Sequence, residues 1–311
     1  MNESRSTVSS GAPAAGGDYR RLVQAASYAS VAVALTLIVV KVWAYNVTDS
    51  VSLLSSLADS LLDLMASLIT FFAVRYALEP ADREHRFGHG KSESVAGLLQ
   101  AFIVTASAVY VAVQAVQRLL QPIPVVEPNF GMVVMVVSIG LTLALVSFQH
   151  VVAKRTGSLA IAADAAHYRA DLATNLAVLL ALALDSLFGW FRVDALVGLL
   201  IVGVILASVY QIATQALDVL LDRELPEDER RRVHAIATAH PAVMGMHDLR
   251  TRHAGPEQFI QFHLELDPEL SLIQAHEISD AVEAAVRDGF PQAQVIIHAD
   301  PFGVDEKRDL F

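Results

Sequence analysis

Two aspartates four residues apart, Asp59 and Asp63, open the stretch DSLLDLMASLITFF, which otherwise reads as lipid-soluble. A second pair with the same spacing, His167 and Asp171, lies in DAAHYRADLATN. On a helix, residues i and i+4 share one face, one turn apart. Three carboxylates and one imidazole form an oxygen/nitrogen donor set for a divalent cation. Zn–O and Zn–N bonds of about 2.0–2.2 Å suit tetrahedral Zn²⁺, whereas Mg²⁺ and Ca²⁺ prefer all-oxygen shells of about six or more ligands. The imidazole turns the choice towards Zn²⁺, Cd²⁺, Co²⁺ or Fe²⁺, which the donors alone do not rank. The bland alternative is a structural polar cluster that glues helices together.

The elements that must position these groups read as membrane spans. The chain has 311 residues, 54% hydrophobic and only 18% charged, against about a quarter charged for a soluble domain. A bilayer core takes about 20 apolar residues per helix, and six stretches qualify, at about 24–46, 51–78, 95–120, 130–153, 158–186 and 194–216. The breaks NVTDS, EPADREHRFGHGKSE, QPIPVVEPN, AKRTG and FGWFRVD carry Pro, Gly, Asn or charge. Basic residues favour the cytoplasmic side. Arg20 and Arg21, then Arg83, Arg86 and Lys91, then Lys154 and Arg155 fall on one side, against Arg118 and Arg192 on the other. Both termini are therefore expected in the cytoplasm.

That topology makes the second and fifth spans antiparallel. A charge inside the bilayer costs at least about 2.5 kcal/mol and must face a partner or a water-filled cavity. Counting about 1.5 Å per residue, Asp59 and Asp63 lie roughly 12 and 18 Å from the outer face. His167 and Asp171 lie roughly 14 and 20 Å from the inner face by the same count. In a core of about 30 Å, Asp59 matches Asp171 in depth and Asp63 matches His167, so the two pairs can meet.

After residue 222 the composition changes. PEDERRRVHAIATAH is a charged amphipathic helix, GMHDLRTRHAG and EQFIQFHLELD alternate as strands around a Gly-Pro turn, LIQAHEISDAVEAAVRDGF returns to helical period, and QVIIHADP is a last strand. The fold class is therefore an all-α transmembrane bundle of six helices with a cytoplasmic α+β domain of order αββαβ. The domain boundaries are expected at 1–22 for a disordered tail, 23–222 for the membrane part, 223–302 for the soluble part and 303–311 for a second tail. The net charge of −11 argues against nucleic acid as a partner. With no cysteine in the chain, disulfides, thiolate metal sites and cysteine nucleophiles are excluded, and the 11 histidines are its softest ligands.

DSLLD, HYRAD, FGHGKSES and VIIHADP together resemble the cation diffusion facilitators, and most of all the bacterial zinc and ferrous-iron efflux members of that family. The resemblance runs from about residue 20 to 302. It implies a homodimeric metal/proton antiporter of the bacterial inner membrane, not an enzyme, with a metallochaperone-like cytoplasmic domain. Carried over motif by motif, Asp59, Asp63, His167 and Asp171 are the transport site. The resemblance makes Asp82, His85 and His89 a second zinc site on the loop after the second span. It makes His247, His263, His276, His298 and Asp300 a cytoplasmic binuclear zinc site, and Lys91 with Asp222 a charge lock between protomers. By residues alone the loop is a charged loop, and each cytoplasmic histidine a surface or edge-strand residue. His150, His234, His240 and His253 are read as structural. Asp164, one turn before His167, is expected to line the cytoplasmic entrance or bond to backbone.

The expected activity is efflux of a divalent cation, zinc first, by proton-coupled antiport with alternating access. Metal ligands must be deprotonated, so protonation ejects the ion, and His167 is the expected proton carrier. The rivals are an uptake carrier or channel using the same site, and a membrane-anchored metal sensor. An intramembrane metalloprotease normally carries an HExxH-like base, and the chain contains none.

Overall fold

The computed structural model describes residues 17–48, 51–120, 129–188 and 193–304. Most of both expected tails, Arg192 and most of QPIPVVEPN lie outside the described residues. Six long helices come first: α1 (Gly17–Thr48), α2 (Val51–Ala77), α3 (Ser92–Leu120), α4 (Asn129–Thr156), α5 (Leu159–Phe188) and α6 (Val193–Leu220). In lipid a helix satisfies its own backbone hydrogen bonds, which is why apolar composition here resolves into helices. α1 starts at Gly17, inside the stretch expected to be a tail, and Asp18 in its first turn complements the positive end of the helix dipole.

Among the described residues, five helices are long and apolar enough to cross a membrane, and α5 is not one of them. Its sequence packs Asp164, His167, Arg169 and Asp171 into about two turns. Polar contacts hold this helix in place. Ser30 Oγ (α1) and Gln149 Nε2 (α4) each donate to Asp164 Oδ2 at 2.6 Å. Ser67 Oγ (α2) stands 2.8 Å from both Ser30 Oγ and Tyr168 Oη. Less than two turns before Asp164, where α5 begins, the buried Glu93 at the start of α3 accepts from Tyr19 Oη at 2.7 Å and Ser158 Oγ at 2.5 Å. Small residues line the close approaches: Gly97 faces the carbonyl of Leu159 and Ala216, as expected where lipid gives helices no hydrophobic reason to associate. α4 ends at Gly157, whose φ of +68° and N–H bond to the Ala153 carbonyl at 2.8 Å form a left-handed C-cap.

The chain divides into two compact units. Residues 80–89, the loop between α2 and α3, group with the chain beyond Leu221 and not with the helices that flank them. That soluble unit contains α7 (Glu227–Ala237), β1 (Gly245–Ala254), β2 (Glu257–Leu266), α8 (Leu272–Gly289) and β3 (Ala293–Pro301). The order is αββαβ, as the period changes in the sequence predict. β2 is central, antiparallel to β1 and parallel to β3. Gly255, at φ +66°, supplies the left-handed residue of the β1–β2 turn. α8 opens on a reciprocal capping box between Ser271 and Gln274.

From Ile260 to its end β2 alternates between buried and half-buried residues. Ile260, Phe262, Leu264 and Leu266 pack on Val233, Ala237, Val282 and Val286 of the two helices. Gln261, His263 and Glu265 therefore take the opposite face. Truncating the core at Phe262, 1% exposed, removes an aromatic side chain from a filled interior. Phe262→Ala should cost about 3–5 kcal/mol. Thermal unfolding of the full chain in detergent should show the soluble unit melting well below the parent, and an unchanged midpoint would contradict this core.

Candidate metal centre

Asp63 of α2 meets the His167–Asp171 pair of α5. His167 Nε2 stands 3.1 Å from Asp63 Oδ1 and 3.5 Å from Asp171 Oδ2. His167 is 5% exposed, and Asp171 Oδ2 is buried without a hydrogen bond. One ring nitrogen carries at most one proton, yet here it faces two carboxylate oxygens. A cation between the three groups satisfies all of them, and one ligand atom from each lies within 4.8 Å of the others.

Asp59 is exposed and does not belong to that cluster. The depth match of Asp63 with His167 thus appears as a direct contact, whereas Asp59 stands a turn further along α2. Asp164 neither lines an entrance nor bonds to backbone: it is 0% exposed and accepts from the side chains of Ser30 and Gln149. Together with the Tyr168 hydroxyl beside Ser67, it fixes the rotation of α5 that turns His167 towards α2. Sequence reading missed Ser30, Ser67, Gln149 and Tyr168, and their only trace is polarity inside apolar runs.

The loop site is a turn, not a helix. Asp82 Oδ1 accepts from the backbone N–H of His85 at 2.6 Å and of Glu84 at 2.8 Å. Its other oxygen stands 3.4 Å from His89 Nε2, and the two imidazoles are 4.6 Å apart. The donated His85 amide, more than any other contact, holds the Asp82 carboxyl below its usual range. A lowered carboxyl favours the folded turn above the unfolded value of about 3.9, and that preference is lost only as pH falls through the lowered folded value. Asp82, His85 and His89 form the second cluster within 4.8 Å.

On the soluble sheet, register does what helical spacing does in the membrane. His247 of β1 pairs with His263 of β2, and His263 pairs with His298 of β3. Three imidazoles therefore lie side by side across three strands, with rings 5.1 and 4.7 Å apart. Asp300, two residues beyond His298 and so on the same face, is 5% exposed. Its Oδ2 stands 2.7 Å from His263 Nδ1 and 3.4 Å from His247 Nε2, while Oδ1 stands 3.0 Å from His298 Nε2. His247, His263 and Asp300 form the third cluster within 4.8 Å.

His276 is not in that cluster: it is exposed on α8, 3.5 Å from Asp280. Two further carboxylates approach the sheet face, Glu265 at 2.8 Å from His247 Nδ1 and Asp248 at 3.8 Å from His263 Nε2. Sequence reading missed both. Glu265 could have been found from its place two residues after His263; Asp248 is brought there by an irregularity in β1, where its φ is +49°. Of the expected charge lock, Lys91 Nζ stands 3.5 Å from the Leu220 carbonyl, and Asp222 accepts from Arg252 at 3.2 Å.

Two family models match the chain: the cation efflux transmembrane domain over residues 27–221 and the cytoplasmic domain of cation efflux proteins over residues 225–302. The chain belongs to the cation efflux family. It is 46% identical over 286 residues to the cation-efflux pump FieF of Escherichia coli (strain K12 / DH10B), an alignment spanning 92% of this chain and 95% of the relative. The same figures hold for the FieF of Shigella boydii serotype 4. Among solved structures, the metal-bound C-terminal domain of the CzcD transporter from Thermotoga maritima is 28% identical, covering 25% of this chain and 93% of that one with a TM-score of 0.25. This family membership gives the buried donors a common context: cation efflux proteins pair a membrane domain with a cytoplasmic one.

Because Asp300 alone touches three imidazoles, Asp300→Ala should weaken zinc binding at the sheet more than His298→Ala does. The loss should exceed the roughly 10–100-fold that outer-shell changes cost. Competitive zinc titration of the full chain carrying Asp63→Ala and Asp82→Ala checks this. Equal affinities for the two variants would contradict the bridging position.

Proposed function

We propose that this protein exports a divalent cation, Zn²⁺ foremost, from the cytoplasm across the inner membrane in exchange for protons. The observation that carries the reading is the convergence of Asp63, His167 and Asp171 from two membrane helices onto one point. Identity of 46% to proteins named as cation-efflux pumps supports export as the direction. The ion is cargo: it enters from the cytoplasm, is held by Asp63, His167 and Asp171 with Asp59, one turn away on α2, swinging in as the fourth donor, and leaves when the bundle opens outward. Ligands must lose protons to bind and regain them to release, so one set of groups serves both ions and a proton gradient drives export. Alternating access is the rocking of a helix bundle around such a fixed central site.

The cytoplasmic sheet face offers a donor set suited to resident Zn²⁺, with His247, His263, His298 and Asp300 as ligands. The relatives' cytoplasmic domain supports pairing of two copies through this unit, both termini lying on the cytoplasmic side. Fe²⁺, Cd²⁺ and Co²⁺ fit the same donors.

Zinc flux into proteoliposomes of known orientation tests the proposal. Asp63→Ala should reduce flux to that of empty vesicles, and flux should rise with an opposing proton gradient. Flux indifferent to that gradient would reject antiport, and movement only towards the cytoplasmic face would make the protein an uptake carrier. Retained flux in Asp63→Ala would reject the site.

A further inference from the structure

Where α1 begins and α2 ends, a cavity of about 280 Å³ lies between the two helices. Arg20, Gln24 and Tyr28 line it from α1, Phe71 and Arg75 from α2, and Glu79 borders it just beyond α2. On α1 the three residues recur at helical spacing, and on α2 Phe71 and Arg75 are one turn apart. Arg20 and Arg75 stand within a turn of the helix ends, at the level where lipid headgroups lie. Tyr28 is two turns deeper than Arg20, and Phe71 one turn deeper than Arg75. Their rings meet edge to face with centroids 5.2 Å apart. The cavity thus has a cationic mouth and an aromatic floor.

The mouth is positioned and unfilled in charge. Arg20 Nη2 donates to the Leu78 carbonyl at 3.1 Å, which fixes the guanidinium and leaves most of its five N–H groups unused. Arg75 is exposed, and among the described residues its side chain forms no hydrogen bond or ion pair. Two guanidinium groups on one cavity repel a metal ion, so this opening is no route for the cargo. They suit a phosphate, which arginine grips through paired N–H groups. The volume falls just below the about 300–1,000 Å³ of pockets that enclose a whole ligand. It fits the head of a molecule whose tails stay in the bilayer.

We infer that the cleft between α1 and α2 binds the headgroup of an anionic phospholipid. Its phosphate lies between Arg20 and Arg75, the amide of Gln24 serves the glycerol oxygens, and the first methylenes rest on Phe71 and Tyr28. The site requires neither the cargo nor the direction of transport proposed above.

Native mass spectrometry of the full chain, stripped of lipid in detergent and titrated with phosphatidylglycerol, tests this. Arg75→Gln should weaken the tightest lipid by on the order of tenfold, and Arg20→Gln with Arg75→Gln by more. Arg20→Lys with Arg75→Lys, which keeps both charges, should recover binding to within a few-fold of Arg75→Gln or better. Lys154→Gln with Arg155→Gln, removing the two basic residues in the last turn of α4, should leave affinity unchanged. An equal loss in that control would reduce the effect to general surface charge and overturn the site. Undiminished affinity in Arg75→Gln, or equal affinity for phosphatidylcholine, would overturn it as well. Displacement of the lipid by millimolar inorganic phosphate would make the cavity a site for a soluble anion, against the inference.

Discussion

The organising constraint is that ionised groups placed inside a bilayer must find one another. α2 and α5 each carry a pair of ionisable residues at i, i+4, and the pairs meet where His167 touches Asp63. Asp63 and Asp171 both face one nitrogen of His167, and two carboxylates held this close in a dry interior suit a positive occupant. The polar contacts around it serve that convergence. Asp164, held by Ser30 and Gln149, and Tyr168, beside Ser67, lock α5 against rotation from three neighbouring helices. Were α5 turned by a quarter, the imidazole would face lipid or a neighbour with nothing to offer.

The soluble unit solves a similar problem with different geometry. In a sheet, ligands are gathered by register across strands and not by turns along a helix. His247, His263 and His298 come from three strands distant in sequence, and only their alignment makes them neighbours. The same strand that buries Ile260, Phe262 and Leu264 on one face shows His263 on the other. Core packing therefore fixes the site: a one-residue slip of β2 would turn His263 inward and the apolar residues out.

Much of this was legible beforehand. Apolar runs of span length marked six helices, and the change of period beyond residue 222 marked the αββαβ order, because both signals are local. The Asp63–His167 contact was legible from depth, since two antiparallel spans of known rise leave little freedom. The rest depended on distant structure. Asp59 falls outside the cluster although its spacing is ideal, because sharing a face of α2 does not fix the reach of a side chain. Glu265 and Asp248 join the sheet face through register and a strand irregularity that no local pattern shows. Lys41 is a single charge in an apolar run, and its bonds to Ser56 and Ser60 appear only when α1 is laid beside α2. The start of α1 at Gly17 was hidden by a small-residue segment that reads as tail.

Anomalous scattering at the zinc edge, from crystals of the full chain grown with zinc, tests the central claim most directly. The account predicts a peak within the membrane part about 2.0–2.2 Å from donor atoms of Asp63, His167 and Asp171. Peaks confined to the loop and the soluble sheet, with none between α2 and α5, would contradict it.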